Sequence, residues 1–164
     1  MEFTIRSMQV GDIPQVQHVA KTSWHSTYEG IIPLAIQERF LDVAYSDEMM
    51  KKRVEHSFVF VVEVAERIVG FADFSPVKEG GEVELVAIYF HPEFQGKGMG
   101  TALLQTGIDH SKGWKELFIN VEEKNESGTA FYQAKGFEVV SQFDDDFDGH
   151  VLKTVRMALK KEGF

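Results

Sequence analysis

Apolar and polar positions alternate along four segments in the first 91 residues, which is the pattern of half-buried β-strands. The segments are 2–8 (EFTIRSM), 58–65 (FVFVVEVA), 67–76 (RIVGFADFSP) and 82–91 (EVELVAIYFH). Glu66 and Arg67 separate the second and third segments so closely that these two should form a hairpin. Residues 58–91 are therefore predicted to form an antiparallel meander.

Helical spacing replaces the alternation between the first two strands. Asp12 can cap a helix whose apolar residues recur every three or four positions up to Trp24. Pro33 suits the first turn of a second helix, and Ser46 or Asp47 can begin a third. The first third of the chain is thus predicted to be one strand followed by helices.

Helices and strands also alternate in the second half of the chain. The pattern predicts a helix to about 111, a strand at 116–122, a helix at about 126–135, and strands near 137–143 and 150–159. The strand–helix–strand unit over 82–122 needs a crossover connection, which makes its two strands parallel. The predicted fold class is α+β, with a sheet that is antiparallel except for this one pair.

Composition and charge narrow the class of protein. A chain of 164 residues fits a single domain over 1–164. Without cysteine it has no disulfide, thiolate nucleophile or cysteine-bound metal. The formal net charge of −9 disfavours nucleic acid as a partner and favours a cationic small molecule.

The chain shows neither a signal-peptide pattern nor an apolar run long enough to cross a bilayer. We therefore expect a cytoplasmic protein without a membrane partner.

The segment HPEFQGKGMGTALL, residues 91–104, places three glycines within five positions at the start of a predicted helix. Free backbone N–H groups and the helix dipole make such a turn an anion site, usually for phosphate. The alternative is a tight loop in which glycine only supplies positive φ. A P-loop is excluded because Gly98 follows Lys97, and the spacing G-x-G-x-G fits a dinucleotide fingerprint poorly.

Two linked motifs resemble the GCN5-related N-acetyltransferase family. One is Q-x-x-G-x-G at 95–100, after a strand, and the other is EKNESGTAFYQAKGF at 123–137. The resemblance implies an α/β/α sandwich whose parallel strands splay apart, with acetyl-CoA as co-substrate. It places the pyrophosphate on the backbone of Gln95, Gly96, Lys97, Gly98, Met99, Gly100 and Thr101, and the pantetheine arm on Ile88, Tyr89 and Phe90.

The same resemblance indicates two catalytic side chains. Glu84, eleven residues before Gln95, is predicted to be the general base, with its pKa raised by a partly apolar strand. Tyr132 is predicted to be the acid that protonates the coenzyme thiolate, with Asn125 on about the same helix face. The alternatives are an exposed strand glutamate for Glu84 and a core aromatic for Tyr132. Gly128, where the family commonly has alanine, is predicted to weaken the helix by about 1 kcal/mol without affecting the chemistry.

The acceptor site is predicted within TSWHSTYEGIIP, residues 22–33. Trp24, His25, Tyr28 and Glu29 can hold an amine through cation–π and charge contacts, although Trp24 and Tyr28 fit a core role equally well. The acidic run FDDDFDGH at 143–150 is either a solvated hairpin tip or an attractor for a cation.

Direct transfer of acetyl from acetyl-CoA to a primary amine of a small molecule or peptide is the function that these residues predict. The histidines lack metal-ligand spacing, so we expect no metal. A non-catalytic acyl-CoA-binding module is the alternative function. Dimers are common among proteins that resemble this one, so a homodimer is a further expectation.

Overall fold

The computed structural model describes residues 2–163, and its elements follow the predicted order. The strands are β1 (Thr4–Ser7), β2 (Phe58–Val64), β3 (Arg67–Phe74), β4 (Glu82–Phe90), β5 (Glu116–Glu122), β6 (Glu138–Phe147) and β7 (His150–Lys160). The helices are α1 (Ile13–Tyr28), α2 (Leu34–Ala44), α3 (Asp47–His56), α4 (Met99–His110) and α5 (Glu126–Ala134). Short 3₁₀ turns lie at Val10–Asp12, Pro92–Phe94 and Lys161–Gly163.

The described strands form one seven-stranded sheet in the order β1-β2-β3-β4-β5-β7-β6. Strands β4 and β5 are parallel, and the other neighbouring pairs are antiparallel. The predicted meander, crossover and mixed sheet are confirmed.

Strands β4 and β5 pair with each other at only one end. Its register runs from Glu82 opposite Glu116 to Glu84 opposite Phe118 and then stops. Against β3, strand β4 carries one extra residue, Val86, which bulges the strand just beyond the last parallel pair. The two strands continue without pairing to Phe90 and Glu122, which leaves a gap in the sheet.

Helices cover both faces of the sheet. On one face, α4 and α5 contribute Leu103, Leu104 and Tyr132 to a core with β4, β5 and β7. On the other face, α1, α2 and α3 pack on β2 and β3 around Val16, Leu41 and Phe71. The predicted α/β/α sandwich is confirmed.

The helix caps and strand ends predicted from local sequence are partly wrong. Asp12 does not cap α1 through its side chain, because its carboxylate accepts hydrogen bonds from Arg6 and from the backbone N–H of Gln9. The Ser46 hydroxyl accepts from Met49 N–H at the start of α3, as predicted. Strand β6 extends through the acidic run to Phe147 instead of ending near 143.

Candidate active site

A cavity of about 620 Å³ occupies the gap between β4 and β5. It extends from the loop before α4, past the open edges of the two strands, to the C-terminal half of α1. Residues predicted from the sequence that line it are Tyr28, Ile88, Tyr89, Phe90, Gln95, Gly96, Lys97, Gly98, Gly100, Thr101, Asn125 and Tyr132. The structure therefore brings the two motifs, about 30 residues apart in the sequence, to one cavity.

The glycine loop leads directly into α4. Gly98 is the N-cap residue and has φ of 82°, a left-handed conformation that favours glycine. A Cβ atom at this position would meet nothing within 4 Å, so the backbone faces open space. The Gln95 side chain donates a hydrogen bond to the carbonyl of Phe90 at 3.2 Å and ties the loop to the end of β4. The first N–H groups of α4 have no partners within the helix and are therefore available to an anion.

Met99 differs from the neighbouring loop residues because its side chain is buried. Its side chain is only 1% exposed and packs in the core with α4 and the sheet. Met99, predicted to bind the coenzyme, lies outside the described cavity wall. Lys97 and Thr101 are exposed residues of that wall, so Lys97 adds a positive charge to it.

Tyr132 belongs to the core and also lines the cavity. It is 7% exposed and its ring meets Phe131 and Phe137 edge-on, each at 5.4 Å between centroids, yet it lines the cavity. Burial, with Tyr89 and Tyr28 nearby, raises the pKa of Tyr132 well above its ordinary value. The hydroxyl is thus protonated at neutral pH and can donate a proton.

Asn125 is the N-cap of α5. Its Oδ1 accepts a hydrogen bond from the backbone N–H of Gly128 at 3.0 Å. A Cβ atom on Gly128 would lie 2.7 Å from Nδ2 of Asn125. The predicted loss of helix propensity at Gly128 stays a prediction, and the structure adds that this glycine makes room for the capping side chain.

Glu84 has a charged partner that the sequence did not indicate. Nη2 and Nη1 of Arg156, on β7, donate to its two carboxylate oxygens at 2.6 and 3.2 Å. Nη1 also donates to Oδ1 of Asn120 at 2.9 Å, and the guanidinium lies 4.6 Å from the Phe118 ring centroid. The general-base role predicted for Glu84 stays a prediction, and its setting includes this ion pair. Among the described residues, Asn120 belongs to the cavity wall and Glu84 does not.

The predicted acceptor residues separate into two groups. Tyr28 lines the cavity, and burial raises its pKa above the ordinary value, with Tyr89 and Glu122 adding to the effect. Trp24 is 6% exposed and stacks on Phe40 at 4.5 Å, outside the described cavity wall. Glu29 is exposed and also lies outside that wall.

His25, also considered for the acceptor, places Nε2 3.4 Å from a carboxylate oxygen of Glu38.

The hairpin between β6 and β7 packs against the first two helices. The Phe147 ring lies 5.0 Å from that of Phe40, and Asp148 forms an ion pair with Arg39 of α2. His150 contacts the carbonyl of Ile31 at 3.2 Å. These contacts place the hairpin against α2 and the segment that follows α1, although no local sequence signal could pair segments more than 100 residues apart.

No group of three or more histidine, aspartate or glutamate side chains within residues 2–163 is arranged to hold a metal ion. Helices long and apolar enough to cross a membrane are likewise absent from this part of the chain.

A mixed sheet that opens at one parallel pair, with a glycine loop and a helix start at the opening, is the architecture of an acetyltransferase. Residues 21–137 match the Acetyltransferase (GNAT) family. The chain belongs to this family.

Relatives extend the match over almost the whole chain. The chain is 33% identical to an uncharacterized N-acetyltransferase of Bacillus subtilis, YuaI, over 93% of this chain and 90% of the relative. It is 28% identical to a spermidine N(1)-acetyltransferase of Thermoplasma acidophilum, over 90% and 95% of the two chains. A crystal structure of the PaiA N-acetyltransferase from Thermoplasma acidophilum, in complex with coenzyme A, matches with a TM-score of 0.84 and 26% identity. That match covers 98% of this chain and 99% of the other.

Proposed function

We propose that this acetyltransferase moves the acetyl group of acetyl-CoA directly to a primary amine of a small cationic molecule, with polyamines as the first class to test. The observation that carries the proposal is the cavity in the β4–β5 gap, which reaches both the glycine loop and α1. A donor and an acceptor can therefore meet within it from opposite sides of the sheet.

The donor end of the cavity suits coenzyme A. The N–H groups at the start of α4 and the ammonium of Lys97 can bind the pyrophosphate. The unpaired edge of Ile88–Phe90 leaves backbone groups for the amides of the pantetheine arm. The coenzyme A complex of the Thermoplasma acetyltransferase supports this assignment.

Tyr132 is the proposed acid. The amine nitrogen attacks the thioester carbonyl carbon while a backbone N–H of the bulged β4 segment binds the carbonyl oxygen. The C–S bond then breaks, and the thiolate takes the proton of the Tyr132 hydroxyl. The amine loses its own proton to a base or to water, and tyrosinate is reprotonated from solvent, so no covalent enzyme intermediate forms.

A cationic acceptor is supported by charge and by one relative. The net charge of −9 attracts cations to the surface, and Asp144, Asp145 and Asp146 are exposed on the hairpin between β6 and β7. The Thermoplasma relative is named for spermidine.

An acceptor screen tests the proposal. Purified protein with acetyl-CoA is offered spermidine, butylamine, aminoglycosides, amino acids and peptides, and release of free coenzyme A thiol is followed. We expect the highest kcat/KM with a polyamine. Binding of acetyl-CoA without thiol release for any amine would instead support the non-catalytic acyl-CoA-binding module.

A further inference from the structure

Two side chains on the described wall of the cavity carry a charge at neutral pH, and both are lysines. Lys97 lies in the glycine loop, next to the helix start that can bind the pyrophosphate. Lys135 is the C-cap residue of α5, on a different element. The wall therefore offers a second positive charge whose ligand group has still to be assigned.

The Phe131 ring links Lys135 to the start of α4. Phe131 precedes Lys135 by four residues, so both side chains share one face of α5, and the ammonium lies 5.6 Å from the ring centroid. A Cβ atom on Gly100 would lie 3.4 Å from Cε1 and Cζ of the same ring. Phe131 and Gly100 both line the cavity, so the ammonium of Lys135 is one aromatic ring away from the first turn of α4.

The Lys135 ammonium has no carboxylate partner within 4.0 Å among residues 2–163, although its side chain is half-buried. The dipole of α5 favours a cation at this end of the helix. That effect acts on any lysine in the last turn, however, and does not account for a place on the cavity wall. The charge of Lys135 is therefore available to an anionic group of a ligand.

Lys135 is far from the end of the cavity at which an acceptor must arrive. Asn125 begins α5 and lines the cavity together with Tyr28 of α1. At a rise of about 1.5 Å per residue, the length of α5 separates Asn125 from Lys135 by roughly 15 Å along the helix. Lys135 thus belongs to the donor end and serves binding, not acetyl transfer.

Coenzyme A carries two separate phosphate groups, a pyrophosphate and a 3′-phosphate on its ribose. The N–H groups of α4 and Lys97 match the pyrophosphate. The 3′-phosphate is a monoester with a charge near −2, and the ribose keeps it close to the pyrophosphate and so to the start of α4. An ammonium group binds such a phosphate as a point charge, and Lys135 is the remaining cation of the described wall.

We propose that Lys135 binds the 3′-phosphate of coenzyme A and makes the enzyme select coenzyme A over dephospho-coenzyme A. Lys135 is then a specificity-determining residue for the donor, and this inference rests on the donor end of the cavity in the proposed function. No bond forms or breaks at Lys135, so its effect belongs to the affinity for the coenzyme and not to the rate of transfer.

The test measures the Kd of coenzyme A and of dephospho-coenzyme A by titration calorimetry. It compares the wild type with Lys135→Gln and with Lys124→Gln, a matched change at an exposed lysine outside the described cavity wall. For Lys135→Gln we expect the Kd of coenzyme A to rise about 10-fold, the size of one lost charged hydrogen bond. The Kd of dephospho-coenzyme A should stay within about twofold of the wild-type value, and Lys124→Gln should bind both ligands like the wild type.

The two ligands identify which phosphate Lys135 contacts. An equal rise in both Kd values for Lys135→Gln would place the lysine at the pyrophosphate and overturn the proposal. An unchanged Kd for coenzyme A would overturn it as well. Lys135→Arg keeps the positive charge and should keep the preference for coenzyme A. Should Lys135→Gln fail to fold, the wild type still decides, because equal affinity of the wild type for the two ligands refutes the proposal.

Kinetics separate this inference from the proposed function. With spermidine as acceptor, Lys135→Gln should raise the KM for acetyl-CoA about 10-fold and leave kcat and the KM for spermidine unchanged. Wild-type protein that prefers coenzyme A over dephospho-coenzyme A but acetylates no amine would refute the proposed function itself. Wild-type activity with an unaltered KM for acetyl-CoA in Lys135→Gln would refute this inference alone.

Discussion

Tyr132 places a buried hydroxyl at the cavity, and the proposed acid role can be tested by removing that oxygen. For Tyr132→Phe we expect kcat to fall about 100-fold or more, because the thiolate loses its proton donor. The KM for acetyl-CoA should change little, since the ring and its contacts with Phe131 and Phe137 are kept. Steady-state thiol release measures both.

The pH profile gives a second readout for Tyr132. Burial raises the pKa of this hydroxyl, so the group loses its proton only above the ordinary tyrosine range. The wild-type kcat should therefore show no decline from tyrosine ionisation as pH rises from about 8 to 10. An unchanged kcat for Tyr132→Phe across this range would rule out the acid assignment.

Glu84 was predicted to be the general base, and its ion pair leads to a different expectation. Both carboxylate oxygens of Glu84 accept hydrogen bonds from Arg156, so the ion pair already occupies the group that a base would need free. We expect Glu84→Gln to keep the pH dependence of kcat/KM and to lower the free energy of unfolding by about 1 kcal/mol, the upper end for a half-exposed pair. A loss of kcat with a shifted acidic limb would instead support the predicted base. The pH dependence of kcat/KM and the free energy of unfolding in urea distinguish an ion-pair role of Glu84 from a general-base role.

At the scale of elements, α5 is held at its start by the contact between Asn125 and Gly128. Alanine at 128 would gain about 1 kcal/mol of helix propensity but displace a cap worth about the same. We expect Gly128→Ala to leave the free energy of unfolding nearly unchanged and to raise the KM for acetyl-CoA, because Asn125 is pushed within the cavity.

A double-mutant cycle isolates this contact. In an Asn125→Ala background no capping side chain remains, so Gly128→Ala should stabilise the protein by about 1 kcal/mol. Urea denaturation of the wild type, the two single variants and the double variant gives the coupling free energy between positions 125 and 128. Equal effects of Gly128→Ala in both backgrounds would show that the cap and the glycine are independent.

At the scale of the whole molecule, the cavity crosses the sheet and touches α1, β4, β5, α5 and the glycine loop. A ligand that fills it should stabilise all of these elements together. At a concentration 100-fold above its Kd, acetyl-CoA should add about 2.7 kcal/mol to the free energy of unfolding and raise Tm. Differential scanning calorimetry measures this shift.

ATP and NAD serve as control ligands in this experiment. Both carry phosphates that could reach the start of α4, but neither has a pantetheine arm for the open edge of β4. A larger rise in Tm with ATP or NAD than with acetyl-CoA would contradict the assignment of the cavity.

The sequence alone determined the order of the elements and the position of the glycine loop before α4. Alternation, helical spacing and glycines act over a few residues, so β4, the loop after it and α4 could all be located from local pattern. The crossover between β4 and β5 also follows from chain geometry, because a parallel pair needs a long connection.

The tertiary structure decided the partners of the polar groups in the site. Glu84 meets Arg156 across 72 residues of sequence, and Trp24 is enclosed by Phe40 and Phe147 from separate elements. Lys135 reads in the sequence as one more lysine at a helix end. Its place on the cavity wall depends on the packing of Phe131 beside the start of α4, which only long-range contacts fix. Short-range pattern therefore determined where the glycine loop and its helix lie, while packing decided which partners the polar side chains have.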